Sequence, residues 1–124
     1  MSRVRDAEPE ELRAEIALGG RLLVEFWAPW CVQCGPMAGV VERVAETLPD
    51  DVSVLKVSVE DEAVADEYDV SGLPAVALFV DGRPAASLSG FRRAPALIEE
   101  LRPHLSGGTA PQAFGSAEAV ETAG

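Results

Sequence analysis

Two cysteines, Cys31 and Cys34, are the side chains of this sequence best suited to covalent chemistry, and two residues separate them. They follow an apolar segment that ends in Phe26-Trp27 and a turn that contains Pro29-Trp30. We predict that a strand ends there and that a helix begins at Cys31. Unpaired N–H groups at a helix N-terminus stabilise a thiolate. Cys34 then lies one helical turn on, so one thiol can attack a disulfide and the other can resolve the mixed disulfide.

Glu25 and Lys56 form a second candidate pair. The apolar strand predicted over Arg21–Trp27 is interrupted only by Glu25. An isolated buried carboxylate is costly, so Glu25 must be paired, exposed at an edge of the sheet or protonated. Lys56 is the only lysine of the chain and lies in the next apolar strand, and a lysine can adjust its charge state when it is buried. These residues alone leave a functional Glu25 and a merely exposed one as alternatives.

Hydrophobic periodicity and turn residues predict an α/β domain, with a mixed central sheet and helices on both faces. Parallel strands joined by helices come first, and a hairpin at Asp81-Gly82 follows. Pro84 predicts an edge position for the second hairpin strand, whereas the charged segment Ser2–Ala7 makes a first edge strand doubtful. Helices are predicted over Pro9–Leu18, from Cys31 to Leu48, and over Asp61–Tyr68 and Pro95–Leu105, and strands over Arg21–Trp27, Val52–Val59, Ala75–Val80 and Ala85–Ser89.

Three separated motifs are together far more specific than the cysteine pair alone. They are Trp30-Cys31-x-x-Cys34 after the strand end, the loop Tyr68–Pro74, and the turn Asp81-Gly82 followed by Gly90. On these motifs the chain resembles the thioredoxin family from residue 21 to 105, with the first helix as a further match. The resemblance implies a thioredoxin fold over residues 1–105 and thiol–disulfide exchange with protein substrates. It also implies a thioredoxin reductase as a partner.

The resemblance assigns roles to individual residues. Cys31 would attack and Cys34 would resolve, while Glu25 would take the proton of the resolving thiol and Lys56 would pair with Glu25. Pro74 would be the cis-proline beside the disulfide. The residues expected to line the apolar groove that receives the substrate are Trp30, Gly72, Leu73, Pro74 and Gly90.

The chain departs from the family pattern around the cysteines. Val32-Gln33 replaces the usual Gly-Pro, Gly35-Pro36 stands where a basic residue often follows the second cysteine, and Gly39 replaces a helix proline. Pro36 is expected to delete an early helical N–H and to move the helix kink toward the cysteines. The dipeptide between the cysteines tunes the reduction potential in such proteins, so reduction, oxidation and isomerisation of disulfides remain alternatives. A cytosolic setting favours reduction.

The amino-acid composition and the N-terminal segment indicate which classes of partner and which cellular location to expect. Among 124 residues, 21 acidic side chains against 10 basic ones give a formal net charge of −11, which disfavours binding to nucleic acid or to an anionic membrane surface. The N-terminus lacks the apolar core of a signal peptide, so we expect a cytoplasmic protein. We also expect this protein to be a monomer. The Gly- and Ala-rich segment 106–124 is expected to be a flexible tail.

Three other classes of function compete with thiol–disulfide exchange. A zinc site needs four ligands, whereas the chain offers two cysteines and one histidine, His104, so we expect neither a metal nor another cofactor. A Cys–His hydrolase needs a base beside its cysteine, and His104 is predicted at the far end of the domain. A partner-binding or chaperone module, in which redox activity is secondary, stays open. Such a module would keep its effect in a Cys31→Ser variant, and a redox protein would lose it.

Overall fold

The computed structural model describes residues 3–105, so the predicted tail at 106–124 lies outside the described residues. Helices and strands alternate up to a hairpin, and a last helix follows it, as predicted. The elements are β1 (Val4–Ala7), α1 (Pro9–Leu18), β2 (Arg21–Trp27), α2 (Cys34–Thr47), β3 (Val52–Ser58), α3 (Glu62–Glu67), β4 (Ala75–Val80), β5 (Arg83–Ser89) and α4 (Ala94–Leu105).

The five strands form one mixed sheet in the order β1-β3-β2-β4-β5. Strands β1, β3 and β2 run parallel, whereas β4 is antiparallel to β2 and β5 is antiparallel to β4. The mixed sheet is therefore confirmed. The hairpin turns at Asp81 and Gly82, which both have positive φ angles (52° and 86°), as a tight hairpin turn requires. Strand β5 is at the edge of the sheet, as predicted, but it begins at Arg83 rather than after Pro84. Pro84 lies next to an irregularity in the β4–β5 register.

Strand β1 forms where the sequence made a strand doubtful. Residues Val4–Ala7 pair with β3 in parallel register. The preceding Arg3 fixes this edge, because its guanidinium donates hydrogen bonds to the backbone carbonyls of Leu48 (2.9 Å), Pro49 (2.9 Å) and Val52 (2.8 Å). Contacts with residues more than forty positions away thus hold a segment of weak intrinsic β propensity in the sheet.

Helices cover both faces of the sheet, as predicted, and each face has its own apolar core. Strand β2 supplies both cores, because successive side chains of a strand point to opposite faces. The α1/α3 face is built mainly from Leu12, Leu22, Val24, Phe26, Leu55, Val57, Val64 and Phe79. The α2/α4 face is built mainly from Leu23, Met37, Val41, Val44, Val54, Val76, Leu78, Leu97 and Leu101.

Candidate active site

The two cysteines lie in the turn between β2 and α2 and form a disulfide, with their Cα atoms 5.4 Å apart. The backbone N–H of Cys31 donates to the carbonyl of Ala28 (3.1 Å), and the N–H of Cys34 donates to the carbonyl of Cys31 (3.3 Å). Helix α2 begins at Cys34. The predicted start at Cys31 is therefore wrong, because two short turns precede the first helical residue. Cys31 lies three residues before the first helical residue, Cys34, to which its sulfur is bonded, and the first N–H groups of the helix have no intrahelical partner.

The late start of α2 also changes the consequence of Pro36. Gln33 is the residue before the helix, and its carbonyl accepts the N–H of Met37 (3.1 Å), the first bond between residues four apart in this helix. Pro36 thus lies in the first turn, where N–H groups have no intrahelical partner. Pro36 does remove an N–H from this first turn, as expected, but α2 loses no intrahelical hydrogen bond by it.

The two cysteines differ in access to solvent. Cys34 is buried, with 4% of its surface exposed, whereas Cys31 is only partly buried. Two large apolar side chains flank Cys31 and project into solvent, since Trp30 is 70% exposed and Val32 is 88% exposed. A partner molecule can therefore reach the sulfur of Cys31 more easily than that of Cys34, and it meets an apolar surface there.

The loop before β4 lies beside the strand end that leads to the cysteines. Ala75, the first residue of β4, pairs with Phe26 of β2, so the preceding Pro74 falls next to Trp27. The Leu73–Pro74 peptide bond is cis, as the sequence comparison with the family implied. The N–H of Gly90 donates to the carbonyl of Pro74 (2.8 Å), which joins this loop to the end of β5.

The residues predicted to line the substrate groove differ in their surroundings. Gly72 lies against the end of β5, since a Cβ built on it would be 3.9 Å from Cβ of Ser89. Gly90 adopts a φ of 96°, a conformation that favours glycine. Pro74 is buried, and Leu73 packs partly against the α1/α3 core. Trp30 therefore offers the most exposed apolar surface of the predicted set.

Glu25 is fully buried, and neither of its carboxylate oxygens has a hydrogen-bond partner within the described residues. The alternative of an exposed edge position is thereby excluded, because β2 is the central strand. Glu25 follows Leu23 with one residue between them, so its side chain points to the α2/α4 face. Burial raises the pKa of Glu25 to about 7, and the positive charge of Lys56 opposes this rise.

Three charged groups surround Glu25 from the neighbouring elements. Lys56 pairs with it in register from β3, and Nζ of Lys56 lies 5.0 Å from the ring centroid of Trp27. Asp6 of β1 is in turn opposite Lys56. The negative charges of Asp6 and of Glu42 on α2 both contribute to the raised pKa of Glu25. Sequence reasoning missed Asp6 and Glu42, because the β1 strand was doubtful and only the register reveals the row from Asp6 to Glu25.

Residues 3–105 contain no group of three or more His, Cys, Asp and Glu side chains placed to hold a metal ion. His104 is exposed near the end of α4, as predicted. No helix in this part of the chain is long and apolar enough to cross a bilayer.

Comparison with known proteins agrees with this geometry. The family model described as Thioredoxin matches residues 3–103. Thioredoxin 1 of Synechococcus elongatus is 36% identical over 85 residues, which are 68% of this chain and 79% of that protein. A thioredoxin of Staphylococcus aureus is 37% identical over 87 residues, which are 69% of this chain and 84% of the relative.

Solved structures give the same result. A mutant thioredoxin from Halobacterium salinarum superimposes with a TM-score of 0.73 at 29% identity, over 87% of this chain and 94% of that one. Oxidised mitochondrial thioredoxin 3 from Saccharomyces cerevisiae has a TM-score of 0.70 at 25% identity, over 81% of this chain and 94% of that one. The chain therefore belongs to the thioredoxin family, and its Cys31–Cys34 pair makes it a disulfide oxidoreductase.

Proposed function

We propose that this protein is a cytosolic reductant of protein disulfides, with Cys31 as the attacking and Cys34 as the resolving cysteine. The observation that carries this assignment is the unequal exposure of the two sulfur-bearing residues, of which Cys34 is 4% exposed and Cys31 only partly buried. A bulky protein disulfide reaches the more exposed sulfur first. Trp30, Gly72, Leu73, Pro74 and Gly90 then form the surface that receives the chain around that disulfide.

The first step consumes the reduced form of the site. The Cys31 thiolate attacks one sulfur of the substrate disulfide, the Cys31–substrate bond forms, and the substrate S–S bond breaks with release of one substrate thiolate. Cys31 lies in the turn that leads into α2, three residues before the first helical residue, and the partial positive charge of the helix N-terminus stabilises the attacking thiolate. Exchange of this kind proceeds through such a mixed disulfide.

The second step returns the site to its disulfide form. The Cys34 thiol loses its proton and attacks the Cys31 sulfur, so the Cys31–Cys34 bond forms and the second substrate thiolate leaves. The substrate has gained two electrons, and this chain has lost them. We assign the proton to the Glu25 carboxylate, reached through water, because a pKa near 7 lets the group accept a proton at neutral pH. The positive charge of Lys56 opposes the rise in the pKa of this carboxylate.

A second protein must supply the two electrons for another cycle, and a thioredoxin reductase is the expected donor. The cytoplasmic location and the monomeric state belong to the same proposal. In the cytosol, glutathione and related systems keep thiols reduced, which suits a site that must begin its cycle as a dithiol.

Trapping tests the two cysteine roles. A Cys34→Ser variant cannot resolve, so it should retain substrates as covalent adducts that dithiothreitol releases. The matched Cys31→Ser variant, with Cys34 intact, should retain few. Equal adduct yields from the two variants would remove the assigned order, and a higher yield from Cys31→Ser would reverse it. A Cys31→Ser variant that kept the full biological effect would instead indicate a binding module.

The reduction potential tests the direction of electron flow. Titration of the Cys31–Cys34 couple against glutathione, followed through the fluorescence of Trp27 and Trp30, should give a reduction potential of about −270 mV, which is typical of thioredoxin. A reduction potential of about −120 mV, as in a strong oxidant, would contradict a reductant role. Glu25→Ala should slow turnover at neutral pH by about 100-fold with little change in substrate KM, and an unchanged rate would remove Glu25 from the mechanism.

A further inference from the structure

A second surface feature adjoins the disulfide on the side of α2 and α4. It is a groove of about 400 Å³, which lies within the range of known ligand pockets, roughly 300–1,000 Å³. Its apolar lining consists of Pro36, Gly39 and Val40 from α2 and Ala94 and Pro95 from α4. Pro36 is two residues from Cys34, so one end of the groove lies beside the active site.

Two arginines, Arg43 and Arg93, complete this lining, which contains no acidic side chain among the described residues. Both arginines are exposed, and neither side chain has an ion pair or hydrogen bond within residues 3–105. The arrangement is unusual for this chain, in which 21 acidic residues outnumber 10 basic ones. Most of the other arginines do have partners, for example Arg13 with Glu67 and Arg21 with Asp51.

The side chains that line the groove favour one class of ligand. Two unpaired guanidinium groups beside an apolar floor suit an extended polypeptide that presents carboxylates next to apolar side chains. A polyphosphate chain fits poorly, because a net charge of −11 repels a dense polyanion over the rest of the surface. An acidic peptide carries fewer charges and gains from burying its apolar groups.

We propose that the groove between α2 and α4 docks an acidic, partly apolar segment of the redox partners of this protein, with Arg43 and Arg93 pairing to its carboxylates. This inference rests on the proposed function only for the identity of the partners. The segment would run alongside α2 and lead the partner disulfide toward Cys31. The two arginines thus supply cations near a site at which Gly35 replaces the basic residue common in the family.

The test measures binding without any thiol chemistry. The oxidised full chain, labelled with ¹⁵N, is titrated with a synthetic cysteine-free peptide of alternating glutamate and leucine, and with a matched peptide in which glutamine replaces every glutamate. Saturable shifts of the Gly39, Val40 and Arg93 amide signals should appear. The acidic peptide should bind about fivefold more tightly than its neutral match, since each exposed charge pair contributes little.

Matched variants localise the effect. An Arg43→Gln/Arg93→Gln double variant should lose the fivefold preference for the acidic peptide. Arg83→Gln should keep it, because Arg83 is another exposed arginine without a partner in the described residues but lies on β5. Loss of the preference in Arg83→Gln as well would attribute the preference to the overall charge of the protein and overturn the proposal. The absence of any change in the amide signals of the groove residues would also overturn it.

Gly39 allows the groove itself to be blocked. A Cβ added there meets no atom within 4 Å, so a side chain is accommodated without displacing the helix. Gly39→Glu should abolish binding of the acidic peptide, and Gly39→Ala should retain it. Equal binding by these two variants would place the peptide elsewhere. Because none of these arms involves the cysteines, a failure of disulfide reduction and a failure of docking give separate results.

Discussion

The two faces of the sheet share the same strands but bury different kinds of side chain. On the α1/α3 face, β2 contributes Leu22, Val24 and Phe26 to a core of apolar and aromatic groups. On the α2/α4 face, β2 contributes Leu23 and Glu25, and Glu25 is the one buried charged side chain within residues 3–105. Helix α2, which carries Cys34, lies on this second face.

This difference indicates how stability and chemistry are divided in the molecule. Apolar burial on the α1/α3 face stabilises the fold at any pH. The carboxylate on the α2/α4 face destabilises the fold whenever it is ionised, because no hydrogen bond from a described residue compensates for its desolvation. This costly group lies on the face that carries Cys34, which supports the proposed role of Glu25 in proton transfer.

The largest effect on stability should come from the purely apolar face. Phe26 is buried and stacks on Tyr68 with ring centroids 5.7 Å apart, and Tyr68 contacts Phe79 edge-on at 6.3 Å. Phe26→Ala removes the central ring and should lower the free energy of unfolding by about 3–5 kcal/mol. Urea unfolding of the oxidised protein at several pH values measures this.

The loss in Phe26→Ala should be the same across acidic and neutral pH, since burial raises the pKa of the stacked Tyr68 above its ordinary value of 10.0 and its ring stays uncharged there. Phe26→Leu keeps most of the volume and should cost less than Phe26→Ala. A loss that varied strongly with pH would break the proposed division between the two faces, because it would couple the aromatic cluster to the Glu25 ionisation.

The sequence was a good guide to the fold where local signals are strong. The bounds of α1, β2 and β4 were predicted to the residue, because a helix-starting proline, glycines and continuous apolar runs mark them. Strand β1 could not be predicted, since its place depends on Arg3 contacting carbonyls distant in sequence. The start of α2 was misplaced because the turns at Cys31 use ordinary residues that a helix also accepts.

The candidate site was predictable in its members but not in its electrostatics. The cysteine spacing and the charge at Glu25 in an apolar strand are visible in the sequence. The row from Asp6 through Lys56 to Glu25 is not, because it exists only in the register of three strands that are distant in sequence. Long-range register is set by the packing of whole faces, and no local pattern reports it.

The next largest effect should come from Glu25 and should depend on pH. Its folded-state pKa of about 7 lies above the ordinary value of 4.5, so the folded state binds more protons than the unfolded state between these values. The free energy of unfolding therefore falls as the pH rises through this window. From about pH 4.5 to about pH 8 the wild type should lose about 3 kcal/mol relative to Glu25→Gln.

Urea unfolding of both oxidised proteins across the window checks this, because all other ionisable groups contribute equally to the two curves and cancel in their difference. The disulfide is kept intact in every sample so that the unfolded state is the same. Two parallel curves would mean that Glu25 ionises like an exposed carboxyl group, and the contrast between the two faces would then be lost.

The smallest effect should come from Asp6, which acts on Glu25 from the edge of the sheet. Its negative charge contributes to the raised pKa of Glu25, although Asp6 is itself exposed and largely screened. Asp6→Asn should therefore lower the pKa of Glu25 by a few tenths, measured by ¹³C NMR titration of its carboxyl carbon. Asp66→Asn removes an exposed aspartate from α3 on the opposite face and should leave that titration unchanged. Equal changes in the pKa of Glu25 in the two variants would mean that Asp6 acts through the overall charge of the protein, and not through its place in the row from Asp6 to Glu25.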